Sequence, residues 1–82
     1  ADRVRANLGA ALLENGDFQD AAEELQITLR LNPEIYQAQY NLGLTLEKLG
    51  RAEEAIKHYQ ICLELLPDFT PARQRLRDLQ QH

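Results

Sequence analysis

Residue types able to do chemistry are sparse in this chain of 82 residues, and their spacing points away from catalysis. The two histidines, His58 and His82, belong to no set of Cys, His and carboxylate residues at ligand spacing, so no metal site is expected. Cys62, the one cysteine, falls among apolar residues at helical spacing, and a buried thiol with no cationic neighbour is inert. No nucleophile–base pair is apparent; neither an enzyme nor a cofactor is expected. Asp17, Asp20, Glu23 and Glu24 read as the solvated first turns of a helix, whose N-terminus they stabilise, rather than as an acidic docking patch. What remains is recognition chemistry. In a helical register Gln37, Tyr40, Asn41, Leu44, Glu47 and Lys48 share a face, with Tyr40 and Leu44 one turn apart as an apolar pair. Arg3, Ala6, Asn7, Ala10, Leu13 and Glu14 form a matching face earlier in the chain, and Gln74, Arg75 and Asp78 a third. Arg3 and Arg75 are placed to steer an acidic tail toward such a surface. The competing role for Tyr40 and Leu44 is packing between neighbouring helices.

These faces recur because the chain repeats itself every 34 residues. Asn7-Leu8-Gly9 returns as Asn41-Leu42-Gly43, Gly16 as Gly50, Ala21 as Ala55, Gln26-Ile27 as Gln60-Ile61, and Pro33 as Pro67. With Leu12/Leu46, Leu29/Leu63 and Leu31/Leu65, 11 of the 34 positions in 2–35 match 36–69. Unrelated segments of ordinary composition would match at roughly two. Such a period marks a stacked repeat in which each unit needs a neighbour to bury its apolar side. Apolar residues step by three and four along two segments of each repeat, so each reads as two helices, A and B. The expected spans are 2–15 and 18–31, then 35–48 and 52–65. Gly16 and Gly50 suit the left-handed residue that ends a helix. Asp17 is expected to cap the first B helix, while Arg51 leaves the second uncapped. Pro33 and Pro67 stop the B helices. Thr70-Pro71 reads as cap and first residue of a fifth helix over about 71–80. Gly9 and Ala21, and likewise Gly43 and Ala55, are expected to face each other where the helices of a pair cross closely.

The pattern Leu8-Gly9, Leu12, Gly16-Asp17-Phe18, Ala21, Leu25, Leu29, Pro33, repeated as Leu42-Gly43, Leu46, Gly50, Ala55, Tyr59, Leu63, Pro67, resembles the tetratricopeptide repeat. The resemblance covers 2–69 and departs where an aromatic often precedes Leu-Gly, since Arg5 and Gln39 stand there. It implies an all-α superhelix of five helices: repeat one over 2–35, repeat two over 36–69, and a capping helix or partial third repeat over 70–82, all in a single domain. It also implies a concave groove on the A helices that holds a segment of a partner protein. The groove residues would be Arg3, Ala6, Asn7, Ala10, Leu13, Gln37, Tyr40, Asn41, Leu44, Glu47, Gln74, Arg75 and Asp78. One subfamily clamps the terminal carboxylates of chaperones from five positions, held here by Ala6, Ala10, Asn41, Pro71 and Arg75. Two of five matching side chains, Asn41 and Arg75, are too few for that clamp. On the fifth helix Arg77 replaces the close-contact glycine and Gln80 an apolar residue, which suggests a polar outer face presenting Arg73, Arg75, Arg77 and Gln80 to water.

Composition narrows the partners. Asp and Glu number 13 against 9 Lys and Arg, for a net charge of −4, which argues against nucleic acid. No stretch is long enough for a membrane span and no signal-like segment opens the chain, so no membrane partner is expected. The chain begins at Ala1 without a Met, which reads as a piece of a longer protein. One thiol fixes no compartment; a cytoplasmic setting is the working expectation. Apolar residues around Val4, Leu8 and Leu12 at an open end suggest homo-oligomers or contacts with further repeats as the alternative function.

Overall fold

The computed structural model describes the backbone of residues 2–81 and the side chains of residues 7–81. It is all-α: α1 Asp2–Asn15, α2 Phe18–Leu31, α3 Tyr36–Lys48, α4 Ala52–Leu65 and α5 Thr70–Gln80. The expected spans differ from these by one residue, at the starts of α3 and α5. Each helix packs on the next in the chain, and α1 also lies against α3, so the two A helices are neighbours. This is the α-α superhelix of two helical pairs followed by a C-terminal helix.

The turns explain the boundaries. Gly16 (φ 88°) and Gly50 (φ 77°) are left-handed. Around Gly16, the Asp17 N–H donates to the Leu12 carbonyl (2.9 Å) and the Gly16 N–H to the Leu13 carbonyl (3.1 Å). Arg51 and Gly50 repeat this with Leu46 (2.8 Å) and Glu47 (3.0 Å), which satisfies the last carbonyls of α1 and α3.

The caps of α2 and α5 differ from the sequence expectation. Asp17 sits at the N-cap of α2 but makes no side-chain cap bond; its carboxylate accepts from the Asn15 amide at 2.8 Å. Arg51, as expected, leaves α4 without a side-chain cap bond, and turns its guanidinium forward onto Glu54. At α5, Phe69 takes the cap position and Thr70 is already helical, its hydroxyl reaching the Asp68 carbonyl at 3.4 Å.

The core runs through the stack as Leu25, Leu29, Ala38, Leu42, Leu46, Ala55, Tyr59, Cys62 and Ala72. The small residues keep the helices close, but the cleft at each interior glycine is filled by an unexpected side chain. A Cβ on Gly9 would stand 2.6 Å from Leu25 Cγ, and one on Gly43 2.5 Å from Tyr59 Cε1. Leu25 and Tyr59, one repeat apart, therefore occupy the space that Ala21 and Ala55 were expected to face. Thr28 and Thr45 are fully buried, their hydroxyls donating to the carbonyls of Glu24 (2.9 Å) and Asn41 (2.7 Å).

Candidate functional site

Helix α3 organises the site because its two sides do different work. Leu42 and Leu46 are 1 % exposed and face the core. Residues rotated well over 90° away, Tyr40, Leu44 and Glu47, are half-buried on the other side, while Gln37 and Lys48 are exposed. Leu44, Glu47, Lys48 and Arg75 line a cavity of about 310 Å³, so four residues from the expected A-helix faces come together there.

The polar centre of that cavity is internally paired. Arg75 donates through Nε to Glu47 Oε2 (3.1 Å) and through Nη2 to Glu47 Oε1. Its Nη1 reaches Asp78 Oδ2 at 3.0 Å, and Gln74 leans on Asp78 at 3.4 Å. The Tyr59 hydroxyl donates to Glu47 from the buried side. One network thus joins α4, α3 and α5. Burial opposes the Glu47 charge, but hydrogen bonds from Arg75 and Tyr59 outweigh it and hold the carboxyl below its ordinary pKa. Burial, reinforced by the adjacent carboxylate, pushes the Tyr59 phenol up. The hydrogen bonds to Glu47 raise the Arg75 guanidinium against the opposing effect of burial. Arg75 was expected to face water and steer acidic tails; instead it is half-buried and its donors are engaged. Arg73, Arg77 and Gln80 are exposed as expected.

Tyr40 also has a packing role. Its ring lies 5.8 Å from Tyr59 and 5.1 Å edge-on from Phe69, which in turn meets Tyr36 at 5.2 Å. Burial raises the Tyr40 phenol. Asn41 is half-buried, and its side-chain amide makes no hydrogen bond among the described residues. On α1, Asn7 is exposed and Ala10 and Leu13 are half-buried. The side chains of Arg3, Ala6 and Val4 lie outside the described residues.

Sequence reasoning selected Glu47 and Arg75 but missed Tyr59 as their partner. The available signal was the Leu25-to-Tyr59 change at a buried repeat position, which adds a hydroxyl that needs an acceptor. It also missed His58, which is half-buried with Nδ1 2.7 Å from Gln39 Oε1, while the Gln39 amide donates to the Pro33 carbonyl at 3.1 Å. Burial lowers the His58 pKa, opposed by Glu54. Cys62 is fully buried, which raises its thiol pKa. Among the described residues no group of three or more His, Cys, Asp and Glu is placed to hold a metal ion, and no helix is long and apolar enough to cross a membrane.

The comparisons agree with the architecture. Among solved structures, the crystal structure of MamA is similar with a TM-score of 0.94 at 27% identity, covering 99% of this chain and 47% of that one. The chain therefore spans about half the length of that relative. No curated protein matches. The sequence profile of the tetratricopeptide repeat family matches residues 7–68. Five helices, a left-handed glycine closing each A helix and a matching profile over most of the chain show that it belongs to the tetratricopeptide repeat family.

Proposed function

We propose that the chain is a non-catalytic scaffold that holds an extended or helical segment of a partner protein against α1, α3 and α5. Repeats of this family generally mediate protein–protein interaction. The observation that carries the groove reading is the cavity beside Leu44, where an apolar floor meets the paired Glu47–Arg75 rim and the exposed Lys48. Asn41 adds an amide with hydrogen-bonding capacity to spare, and Gln37 an exposed one. Asn7, Ala10 and Leu13 continue the surface along α1. In this reading the whole chain acts as one domain of two repeats, and α5 closes the groove through Arg75 and Asp78.

Because Tyr40 belongs to an aromatic cluster, its removal tests stability as much as binding. Asn41→Ala with Leu44→Ala is the cleaner probe. In capture from the source lysate, the double variant is expected to lose bands that the parent chain retains, while its helical content stays intact. Equal capture by both proteins counts against the groove.

A second reading, self-assembly, is favoured by Leu8, which is 47% exposed on α1. Light scattering over a concentration series separates the two, since a monomer at high concentration leaves the groove reading alone.

A further inference from the structure

The side of the stack away from the groove carries a feature of its own, repeated with the chain. A furrow of about 370 Å³ lies between α2 and α4, floored by Leu29 and Leu42 and flanked by Arg30 and His58. A second, of about 360 Å³, is floored by Leu63 and Leu76 and flanked by Arg73 and Arg77. The two leucine pairs are one repeat of 34 residues apart. Leu42 faces away from Leu44 and Glu47 on α3, so these furrows are separate from the groove already described.

Their charge is unlike the rest of the chain. The net charge is −4, yet no acidic side chain lines either furrow. Arg30, Arg73 and Arg77 are exposed, and among the described residues none of their guanidinium groups makes an ion pair or hydrogen bond. Arg75, two residues from each of Arg73 and Arg77 and so on the other side of α5, is by contrast engaged twice. The second furrow has no ring on which a nucleic-acid base would stack, the His58 ring of the first is half-buried and held by Gln39, and the net negative charge opposes a polyanionic backbone.

We propose that the two furrows form a second docking face that takes an acidic protein segment bearing apolar side chains. Aliphatic side chains would seat on the half-buried Leu63/Leu76 and along the first furrow over the edge of Leu29, with Leu42 buried beneath it, and carboxylates would meet Arg30, Arg73 and Arg77. A partner of this chemistry matches both the leucine floors and the unpaired cations, which an apolar helix would leave without counter-charge. The face is independent of the groove and stands whether or not the groove reading does.

The test uses the whole chain, isotope-labelled, with a blocked peptide alternating Glu-Glu-Leu and a control in which each Glu is Gln. The acidic peptide is expected to shift amides around Leu29, Leu42, Leu63 and Leu76. The control peptide, and separately R30Q/R73Q/R77Q, should each bind about tenfold more weakly, from three exposed pairs each worth a fraction of the total. The groove variant Asn41→Ala with Leu44→Ala should bind the acidic peptide as the parent does. Equal affinity for the two peptides, or shifts confined to Leu44 and Arg75, overturns the proposal. So does binding at the second furrow alone with R30Q silent, which assigns that furrow to a further helix of a longer chain. The peptide exchange requires no substitution in the protein, so a poorly folded variant leaves the outcome decidable.

Discussion

Gly9 and Gly43 are equivalent in the repeat but face different neighbours. At Gly9 the obstructing group is Leu25, a fully buried aliphatic side chain that no hydrogen bond holds in place. At Gly43 it is the Tyr59 ring, fully buried and pinned by its hydroxyl to Glu47. Alanine gains ~1 kcal/mol of helix propensity at either position. Overpacking a core costs typically 1–3 kcal/mol, and the cost is greatest where the neighbour cannot turn away. Gly43→Ala is therefore expected to lose about 1–2 kcal/mol net in urea unfolding, and Gly9→Ala clearly less. Equal losses would show that the ring is free to give way. The repeat announced that a small residue was needed at both sites. It did not say which side chain required the space, because identical glycines align while Leu25 and Tyr59 do not.

At the scale of helices, α5 is held by contacts of two kinds. Ala72 is fully buried and Phe69 meets Tyr36 and Tyr40, while Arg75 reaches across to Glu47 on α3. Glu47→Gln removes the charge but keeps an oxygen for the Tyr59 hydroxyl. It is expected to cost about 1 kcal/mol, toward the low end for a charge-assisted bond because the Arg75 side chain is 36% exposed. Hydrogen exchange localises the effect: amides of α5 should exchange faster in the variant while those around Leu25 in α2 change little. A uniform increase would mean that the ion pair supports the whole stack rather than one helix. The helix spans were legible because glycine and proline mark their ends by backbone geometry alone. The missing cap at Arg51 was legible from residue type, but the failure of Asp17 to cap α2 was not, since its N–H closes the preceding helix and its carboxylate is taken up by Asn15. The faces of the A helices were legible from periodicity. That Arg75 pairs within the chain was not, because Glu47 lies 28 residues away and only the superhelix brings the two together.

For the molecule as a whole, the junction between the two helical pairs sets a pH dependence. Gln39 donates to Pro33 in the turn after α2 and accepts from His58 on α4, so one side chain spans the joint. With Gln39 Nε2 committed to a carbonyl, its Oε1 faces the ring, and His58 Nδ1 must carry the proton. Protonating the other nitrogen keeps this bond but charges a half-buried ring, which is why burial lowers the pKa below 6.5. The unfolded chain then binds the proton more readily than the folded one. Stability is full above about pH 6.5 and falls as pH drops through that value toward the lower folded pKa. Glu47 acts in a separate window, since its depressed pKa withdraws stability only as pH falls below about 4.5. The urea midpoint is therefore expected to decline between pH 7.5 and 5.5. In H58Q, whose amide can still donate to Gln39, that decline should disappear, whereas H82Q should retain it. A flat profile in the parent chain, or an unchanged slope in H58Q, would place the dependence elsewhere than at this joint.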